Sequence, residues 1–572
     1  MKKITLSRKE FLKLTGVATA GSVIGACAPA AVPAAAVEAP PATSVPAATS
    51  VPATTSVPEA TAVPPTAVPE PVEVKLSMRV NPDPLDPTLN YNGDCAFLHK
   101  LQFVNLCDFD EVNGIPTPDL AKSWDVSKDN LTWTFHLRDD VKWTNGEPVT
   151  AHDVEYSIKR IIDPVNASPL AYIISSIKNA KAVTKGENKD LNSVGVMAVD
   201  DWTVQFTLEA PMGFWPTQVR TAGYPVHKKT VEQFGDKWFY AENIVTNGPY
   251  HLKEWKQDES LVFEKNPDYY DASNVQIDKV TVFVIADDSA GMAMYESDEL
   301  DTMNVPSADI DRVKADSVLS TQMTNVSQLV MYMIQFNVQH KPMDNPNLRK
   351  ALAASINKEA LAQYVGKLGQ VPMDTVTPLG AFGAVPKSAH IGIPFNVAAA
   401  KEYLVQAGYP DGKGLEGLEF CFNTSEFNRT AAEGLQWQWK TNLGLDVALK
   451  NFEGKVYWDA IVGGGLQFWR MGANADTPDA DAWLYAYHTK EGEKIIQWKR
   501  TDFDTIVEKA RSESDLEVRK DLYLQAEKIL VQDEAAIIPL WSYAYVNLTK
   551  PRLTRTYSTL MADTVKNWKI SK

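Results

Sequence analysis

Hydrophobic and polar positions alternate with two different periods along the chain, and each period predicts one type of secondary structure. Residues 131–138 place Trp133, Phe135 and Leu137 at every second position, as in a strand with one buried face. Residues 503–530 repeat apolar positions at helical spacing among charges, which predicts one or two amphipathic helices. Because short β-branched runs alternate with such helical stretches, we predict an α/β fold.

A turn and the start of a helix follow the predicted strand. Asn145 and Gly146 form a dipeptide that is typical of turns. Thr150 and Asp153 have the spacing of a capping box, which predicts a helix that runs through Val154 and Ile158. No later run of the sequence approaches 18 apolar residues, so we predict no transmembrane helix there.

The amino terminus has the pattern of an export signal. Residues 1–13 carry five basic side chains and one acid, and residues 14–26 carry no charge. Those 13 uncharged residues would span only about 20 Å as a helix, against the roughly 30 Å hydrocarbon core of a bilayer. We therefore predict a secretion signal over residues 1–27 rather than a transmembrane anchor.

The end of this signal resembles a bacterial lipobox. Residues 24–27 read Ile-Gly-Ala-Cys, and in a lipobox the cysteine, here Cys27, is diacylated and becomes the first mature residue. Two acyl chains anchor a protein stably where one chain is marginal. Residues 7–13 resemble a twin-arginine signal with Lys9 in the second arginine position, so the export route stays open. We expect a lipid-anchored protein on the extracytoplasmic face of the bacterial cell membrane.

The next segment is predicted to be a disordered tether. Residues 28–73 contain 11 prolines and lack aromatic residues, glycine, lysine and arginine. Such a composition cannot bury a core, so nothing would offset the entropy lost on ordering it. Extended polyproline structure rises about 3.1 Å per residue, so the tether could hold a folded part up to about 140 Å from the bilayer. All 15 tryptophans lie beyond residue 73, so we place the folded part at residues 74–572.

Composition and charge exclude several classes of protein. The chain has 572 residues, with 56 lysines and arginines against 72 aspartates and glutamates, and a net charge of −16. Nucleic-acid affinity depends on cationic contacts with phosphate, so we expect no nucleic-acid partner. Four cysteines are too few for a scaffold built on disulfides. The numbers describe a large, acidic, globular protein.

The sequence contains no local motif for catalysis, a cofactor or a metal. Its eight histidines never lie three to five residues apart, residues 408–414 lack the spacing of a phosphate loop, and no Gly-x-Ser-x-Gly elbow occurs. A helical interpretation of the stretch from Cys95 to Cys107 would separate the two thiols by about 18 Å, too far for a disulfide. We therefore expect Cys95, Cys107 and Cys421 to be buried thiols, and we predict no catalytic residue, no cofactor and no metal site.

A series of short motifs runs along the chain in a fixed order. They are Leu-Asp-Pro at 85–87, Pro-Asp-Leu-Ala-Lys-Ser-Trp at 118–124, Trp-Thr-Phe-His-Leu-Arg at 133–138, Asn-Gly-Glu-Pro-Val-Thr-Ala-His-Asp-Val at 145–154, Asn-Gly-Pro-Tyr at 247–250, Lys-Asn-Pro-Asp-Tyr-Tyr at 265–270, Leu-Arg-Lys-Ala-Leu at 348–352 and Ala-Asp-Thr-Pro-Asp at 475–479. Together they resemble the extracytoplasmic solute-binding proteins of ABC importers, in the group that binds oligopeptides, dipeptides and nickel. The resemblance runs from about residue 76 to about residue 552.

This resemblance implies an architecture and a set of partners. The fold would be of the periplasmic-binding-protein-like type II class, with two lobes joined by two crossover hinge strands. Lobe one would comprise residues 74–329 and 542–572, with an extra subdomain at about 104–227, and lobe two would comprise residues 330–541. Closure at a hinge buries a ligand between the lobes. The implied partners are an oligopeptide and the permease and ATPase subunits of an ABC importer, and we expect a monomer.

Within this group, the peptide binders match best. In them the aspartate of an Arg-x-Gly-x-x-Ala-Asp motif holds the α-ammonium of the peptide, and residues 470–476 read Arg-Met-Gly-Ala-Asn-Ala-Asp. The resemblance therefore assigns the ammonium to Asp476, and it places Arg470 near the peptide carboxylate or as a neutralising charge in the cleft. A buried carboxylate suits an ammonium because each group needs a partner to offset desolvation. The alternative is that Asp476 only caps a turn before Pro478.

The peptide backbone is expected to pair with strand edges, a mode that does not depend on side chains. By resemblance these edges and the other ligand-binding positions are Tyr91, Asn92 and Gly93, then Gly472, Ala473 and Asn474, and also Asn428, Trp458 and Tyr543. The pattern departs from oligopeptide binders at Leu170, Asn428, Ile461, Gly454 and Ala473, where those proteins carry aromatic or basic groups. Peptide length and carboxylate capture therefore stay open.

Three other functions stay open. The same fold could bind an oligosaccharide or another organic solute, with tryptophans as stacking platforms. A nickel chelate is a weaker candidate because the histidines are not clustered. A secreted enzyme such as a glycosidase would need a carboxylate pair, and nothing in the sequence singles one out. The role of Asp476 separates these cases, because a neutral sugar has no ammonium group that would need a carboxylate partner.

Overall fold

The computed structural model describes residues 71–572, except 83, 91–92, 111–113, 367, 476, 491, 493–494, 561–562 and 572. The predicted export signal, Cys27 and residues 28–70 of the predicted tether therefore lie outside the described residues. Among the residues that are described, no helix combines the length and the apolar character needed to cross a bilayer.

Strands and helices alternate along the described chain. The strands are β1 (Glu73–Met78), β2 (Cys107–Phe109), β3 (Pro116–Pro118), β4 (Ala121–Val126), β5 (Thr132–Leu137), β6 (Val196–Asp200), β7 (Thr203–Thr207), β8 (Tyr250–Lys256), β9 (Ser260–Lys265), β10 (Lys279–Val284), β11 (Thr302–Asn304), β12 (Met323–Phe336), β13 (Val371–Pro372), β14 (Glu419–Asn423), β15 (Ala448–Phe452), β16 (Phe468–Asn474), β17 (Ile537–Thr549), β18 (Leu553–Thr554) and β19 (Lys569–Ile570). The α-helices are α1 (Gly93–Gln102), α2 (Ala151–Ile162), α3 (Ala180–Thr184), α4 (Trp215–Arg220), α5 (Lys228–Phe234), α6 (Asp288–Glu296), α7 (Ile310–Ala315), α8 (Pro346–Ala354), α9 (Lys358–Val365), α10 (Val397–Gln406), α11 (Glu426–Leu443), α12 (Gly454–Val462), α13 (Asp481–Leu484), α14 (Thr501–Ser512) and α15 (Leu516–Glu527).

Lobe one is built on a four-stranded sheet in the order β1-β10-β9-β8. β1 runs parallel to β10, and the remaining pairs are antiparallel. The chain enters this sheet slightly earlier than residue 74. Glu73 already pairs with Lys279, and the Val72 N–H donates a hydrogen bond to Asp278 Oδ2 at 2.9 Å.

The subdomain is built on an antiparallel sheet in the order β4-β5-β7-β6. Trp133, Phe135 and Leu137 of β5 are all buried, which confirms the period-two prediction. Thr150 and Asp153 form the predicted capping box of α2, in which the Thr150 N–H donates to Asp153 Oδ2 at 2.9 Å. Buried side chains of this sheet and helix are continuous with the core of lobe one, so the subdomain extends lobe one.

The largest sheet of the described chain has the order β11-β17-β12-β16-β14-β15, with β13 paired to β17, and lobe two is built on its part from β12 to β15. β14 runs parallel to both β15 and β16, and β12 runs antiparallel to both β16 and β17. The predicted amphipathic segment forms the two helices α14 and α15. Phe503 and Val507 of α14 and Leu522 and Tyr523 of α15 face the core, as their spacing predicted.

Two long antiparallel strands connect the lobes, as the resemblance implied. β12 has 14 residues and β17 has 13. At one end of the pair, Val546 and Leu548 are buried in a small core with α6, α7 and β11, and at the other end Phe336 lies in the core of lobe two. The pairing is irregular between Ser327 and Met331, where a strand pair bends most easily. The predicted lobe boundaries lie at this irregularity, and a hinge there stays a prediction.

Lobe two also contacts the subdomain through the end of α14. The Gly213 N–H donates to the Arg511 carbonyl at 2.8 Å, and Asn130 Nδ2 donates to the Ser512 carbonyl at 2.6 Å. The approach is so close that a Cβ at Gly213 would lie 1.7 Å from the Glu513 carbonyl oxygen. This position therefore needs a glycine for steric reasons.

A buried ion pair reinforces the same contact. The Arg519 guanidinium lies over the Phe214 ring of the subdomain at 5.1 Å and over the Phe382 ring of lobe two at 4.2 Å. It pairs with Asp479, whose Oδ1 also accepts a hydrogen bond from Tyr523 at 2.9 Å. The cation, its carboxylate and the two rings thus join subdomain and lobe two.

The helical interpretation of the stretch from Cys95 to Cys107 was partly wrong. α1 ends at Gln102, and Cys107 lies in β2 opposite Pro118, so only part of the stretch from Cys95 to Cys107 is helical. Cys95, Cys107 and Cys421 are nevertheless buried free thiols, as predicted.

The prediction of a strand edge at Gly93 was also wrong. Gly93 is the first residue of α1. Cys95, Leu98 and Leu101 are buried at helical spacing in this segment, so packing against lobe one favours a helix over a strand.

The contact at Gly213 gives a first prediction. Gly213→Ala should lower the midpoint of thermal unfolding by a few degrees, because the added methyl group overlaps the Glu513 carbonyl and overpacking costs about 1–3 kcal/mol. Gly465→Ala is the matched control, since its Cβ would meet nothing within 4 Å. Differential scanning calorimetry of both variants measures the effect. Equal midpoints in the two variants would contradict the close approach.

Candidate functional site

The carboxyl-terminal half of β16 has an open edge. On one side β16 pairs with β12 along its whole length, from Phe468 opposite Phe336 to Asn474 opposite Val330. On the other side β14 pairs only with Phe468 and Trp469. In the part of the chain that the structure describes, no strand covers residues 470–474 on that second side.

The hydroxyl group of Tyr457 indicates which backbone groups face the open edge. It donates a hydrogen bond to the Arg470 carbonyl, and Tyr457 also contacts the Cys421 carbonyl of β14 at 3.3 Å. The Arg470 carbonyl therefore points away from β12. Because backbone groups alternate between the two sides of a strand, the N–H and C=O groups of Gly472 and Asn474 also point to the open side. These four groups can pair with an extended ligand.

The guanidinium of Arg470 lies beside this edge. Its Nη1 donates to Asn423 Oδ1 at 3.1 Å and its Nη2 donates to the Tyr543 hydroxyl at 3.1 Å. The guanidinium also lies over the Tyr332 ring at 4.8 Å. Within the described residues it forms no ion pair, and its buried Nε has no hydrogen-bond partner. A Cβ on Gly472 would lie 3.1 Å from Nη2, so the glycine leaves room for the guanidinium.

Asn428 supports Arg470 from behind. It is 4% exposed at the start of α11, where its N–H donates to the Ser425 cap at 3.0 Å. Its side-chain Nδ2 donates to both the carbonyl and Oδ1 of Asn423 at 3.0 Å. Asn428 therefore orients the Asn423 oxygen that holds the guanidinium. Among the described hydrogen bonds, none joins Asn428 directly to Arg470.

Aromatic rings form the base under the guanidinium. Tyr332 stacks on Trp541 at 4.5 Å, and Phe427 stacks on Tyr543 at 5.7 Å. Burial raises the pKa of Tyr332, so its hydroxyl stays neutral. The rings exclude water around Arg470, which strengthens its attraction for an anion.

A cavity of about 370 Å³ opens at the end of β16. One wall comes from the subdomain, with Tyr172, Ile173 and Gln218. The opposite wall comes from lobe two and comprises Asn474, Ala475, Thr477, Asp481, Ala482, Tyr485, Ala486, Gly492 and Arg511. The cavity is thus bounded by both parts of the molecule that meet at the end of α14, and it has the size of a small-ligand pocket.

Asp481 is the acidic group among the described residues that line this cavity. It is 7% exposed, and its Oδ2 lies 3.5 Å from Arg511 Nε. Burial raises the pKa of Asp481 to about 6, and the nearby Arg511 charge offsets part of that effect. The carboxylate is therefore ionised at neutral pH and protonated in mild acid.

The structure brings together only part of the predicted site. The predicted residues that lie on or beside β16 are Arg470, Gly472, Ala473, Asn474, Asn428 and Tyr543. Asp476, Tyr91 and Asn92 lie outside the described residues, and Gly93 begins α1. Trp458 is 48% exposed on α12, and no contact in the structure joins it to Arg470.

Several residues of the site were not predicted from sequence. They are Asn423, Tyr332, Phe427, Asp481 and Arg511. Asn423 is the last residue of β14, and ligand groups often lie at the carboxyl ends of parallel strands, so its position was a usable signal. The others carry no local motif, because only the packing of distant segments brings them together.

Two lobes, two connecting strands and a cavity beside an open strand edge are the features of a solute-binding protein. The chain belongs to the bacterial extracellular solute-binding proteins, family 5, whose middle-region model matches residues 116–494.

Its relatives carry the names of binding proteins. The chain is 34% identical over 441 residues to the dipeptide-binding protein DppE of Bacillus subtilis, covering 76% of this chain and 80% of DppE. It is 33% identical over 449 residues to the periplasmic oligopeptide-binding protein OppA of Salmonella typhimurium, covering 77% and 82%. It is 30% identical over 482 residues to the probable deoxycholate-binding periplasmic protein YgiS of Escherichia coli, covering 82% and 88%. These relatives confirm the prediction of a binding protein rather than an enzyme.

Solved structures confirm the two-lobed α/β fold. The unliganded open form of the murein tripeptide binding protein MppA superposes with a TM-score of 0.82 at 30% identity, covering 88% of this chain and 98% of MppA. The Haemophilus influenzae OppA complex with the peptide RPPGFSPFR gives 0.61 at 27% identity, covering 88% and 100%. The chain is therefore closer in shape to the open form than to that peptide complex.

The raised pKa of Asp481 gives a second prediction. Folding raises this pKa from its usual value near 4 to about 6, so the stability it contributes is fully present below about pH 4 and is lost as pH rises through about 6. The Asp481→Asn variant lacks this titration. The unfolding free energy of the variant minus that of the native protein should therefore increase by roughly 1–3 kcal/mol from pH 4 to pH 7.

The control for this experiment is Asp411→Asn. Asp411 is exposed and has a φ of 55°, which asparagine tolerates well. Denaturant unfolding at several pH values measures the three proteins. Parallel pH profiles for the native protein and Asp481→Asn would contradict the assignment.

Proposed function

We propose that this protein captures oligopeptides in the cleft between its lobes and delivers them to an ABC permease. The observation that carries the proposal is the open edge of β16 beside the guanidinium of Arg470. Gly472 and Asn474 offer backbone donors and acceptors to an extended chain, as in β-augmentation. The relatives named for dipeptides and oligopeptides support the same ligand class.

The charge of Arg470 favours a ligand that carries an anionic group. Its partners in the described residues are neutral oxygens of Asn423 and Tyr543, so the positive charge is not compensated there. A desolvated guanidinium gains most from a carboxylate, which it can bind through two hydrogen bonds. The carboxylate of a peptide terminus or side chain fits this requirement.

Asp476 is proposed to hold the peptide α-ammonium. The support is the Arg-x-Gly-x-x-Ala-Asp motif at residues 470–476 and its place just after β16. A peptide that runs along the edge from Asn474 would bring one terminus to this position. The predicted contacts of Tyr91, Asn92 and Trp458 with ligand remain proposals from the resemblance.

Ligand capture is proposed to close the lobes by bending at β12 and β17. The register shift between Ser327 and Met331, and the greater similarity to an open than to a peptide-bound relative, support a mobile pair of lobes. The boundaries of the lobes, 329/330 and 541/542, and of the subdomain, 104–227, belong to the same proposal.

The lipid at Cys27 is proposed to anchor the monomeric protein outside the cytoplasmic membrane, near its permease and ATPase subunits. The support is the lipobox pattern at residues 24–27 and the proline-rich composition of residues 28–73. A tethered receptor remains within reach of its permease.

A second candidate ligand is a bile-acid-like organic anion. The relative named for probable deoxycholate binding covers 82% of this chain, and Arg470 over aromatic rings would also suit an amphipathic carboxylate. Such a ligand has no ammonium group. The experiment on Asp476 separates the two candidates.

Asp476→Ala should weaken the binding of a free tripeptide by about 30-fold or more. Loss of one partner from a buried charge pair typically costs about 2–5 kcal/mol. Amino-terminal acetylation of the tripeptide should weaken its binding to the native protein by a similar factor and weaken its binding to Asp476→Ala much less. Isothermal titration calorimetry of both proteins with both peptides completes a double-mutant cycle.

The control variant is Asp521→Ala, which removes an exposed carboxylate from the surface of α15. It should bind both peptides as the native protein does. If acetylation costs the native protein and Asp476→Ala equally, Asp476 does not read the amino terminus. Binding of deoxycholate but of no peptide would replace the proposed ligand class.

Cys27→Ala should release the protein from the membrane fraction without lowering its melting temperature. Diacylation supplies the membrane affinity, and the residue lies far in sequence from the folded part that begins near Glu73. Fractionation of cells that produce each form, followed by immunoblotting, measures the distribution. Retention of the substituted protein in the membrane fraction would argue against lipid anchoring.

A further inference from the structure

Asp481, which lines the cavity at the end of β16, has a buried carboxylate oxygen without a partner among the described residues. Asp481 Oδ1 is buried and, among the described residues, accepts no hydrogen bond. A buried carboxylate oxygen left without a donor is costly, and natural proteins rarely retain one without a reason. The cavity that Asp481 lines offers space for a donor from outside the chain.

Arg511 compensates Asp481 only in part. The closest approach is 3.5 Å, from Arg511 Nε to Asp481 Oδ2, which is longer than a charge-assisted hydrogen bond. The guanidinium lies over the Tyr485 ring at 3.8 Å, and the Arg511 carbonyl accepts the Gly213 N–H. The guanidinium stacked on Tyr485 forms no bidentate pair with Asp481. The cavity therefore keeps one acceptor in excess.

The subdomain wall does not supply the missing donor. Gln218 Nε2 donates to the Ile173 carbonyl at 2.6 Å, so the amide is directed along its own wall. Tyr172 is 55% exposed and lines the same cavity. An aromatic ring and a carboxylate in one cavity suit an aliphatic chain that ends in a cation.

The cavity adjoins the proposed position of the peptide amino terminus. Ala475 and Thr477, the neighbours of position 476 on either side, both line it. If the α-ammonium is held at position 476, the first side chain of the peptide is the group that can reach Asp481. A volume of about 370 Å³ is ample for one long side chain.

We propose that this cavity is the subsite for the first side chain of the peptide and that it selects a basic side chain, with Asp481 as the group that recognises it. The proposal rests on the proposed function. A lysine-like ammonium would give Asp481 Oδ1 its donor and would offset the desolvation of the carboxylate. An apolar side chain would leave the oxygen without a partner, and an acidic one would meet a like charge.

Another cavity with charged lining residues gives weaker support for a ligand site. A cavity of about 230 Å³ in lobe one contains Arg79 and Arg555, but Arg79 pairs with Asp288 and Arg555 pairs with Asp563. These charges are matched within the chain, so they do not call for a charged ligand. Asp481 differs because its oxygen has no such partner.

The test compares three tripeptides that differ only in the first residue, which is lysine, norleucine or glutamate, followed by two alanines. Norleucine has a similar apolar stem without the ammonium group. Calorimetry should give the native protein an affinity for the lysine peptide about 10- to 100-fold above that for the norleucine peptide, as expected for a hydrogen bond to a charged group. The glutamate peptide should bind more weakly than both.

Asp481→Asn should reduce the lysine-to-norleucine ratio to about threefold or less, since a neutral amide offers the ammonium no opposite charge and only a weaker hydrogen bond. Asp411→Asn, at an exposed site, should keep the native ratio. Circular dichroism and thermal unfolding establish that each variant is folded.

The outcomes separate the two proposals. Equal affinity of the native protein for the lysine and norleucine peptides overturns the basic subsite, whether or not the variant folds, and leaves peptide capture intact. An unchanged ratio in a folded Asp481→Asn overturns the role of Asp481. Failure of all three peptides to bind the native protein overturns peptide capture, and the subsite with it.

Discussion

The pairing of β12 with β17 is the constraint on which both the fold and the site depend. These strands end in two separate cores, so they are the covalent and hydrogen-bonded connection between the lobes. β12 also carries β16 on its other edge and thereby places Arg470 opposite Ile334. A change in the angle between the lobes would act through the same strands that support the open edge of β16. Under the proposed capture of a ligand at this edge, no separate element would be needed to transmit the movement.

The electrostatics of the site depend on the charged groups that lack a full set of partners within the described chain. Most buried ions of this protein are paired internally, as Arg519 is with Asp479. Arg470 has only neutral partners within the described residues, and Asp481 has one oxygen without a donor. An uncompensated buried charge lowers stability, so its cost is offset only when a ligand of opposite charge arrives. The two groups have opposite signs, and Asp481 lines the cavity at the end of the strand that carries Arg470, which fits a zwitterionic ligand better than a neutral one.

The contact between the subdomain and lobe two sets the shape of the cavity. Gly213 and Asn130 hold the carbonyl groups at the end of α14, and Arg511 in this turn faces the cavity. Closure that bends β12 and β17 must therefore either pivot about this contact or break it. The Arg519–Asp479 ion pair lies within lobe two and reaches the subdomain only through the Phe214 ring, so a rotation at this contact would not have to separate the pair. The two walls of the proposed subsite are thus joined at one end.

The sequence by itself determined several elements and the family, because these depend on local patterns. Period-two burial in β5, the capping box at Thr150 and the helices α14 and α15 follow from spacing alone, and the ordered motifs gave the two-lobed fold and the segment from Arg470 to Asn474. Local patterns also misled at Gly93, where packing against lobe one favours a helix. Only the tertiary structure decided that Asn423 orients Arg470 and that Asp481 faces the subdomain across a cavity. These relations join segments 47 and more residues apart, and no local spacing encodes which distant side chains share a buried volume.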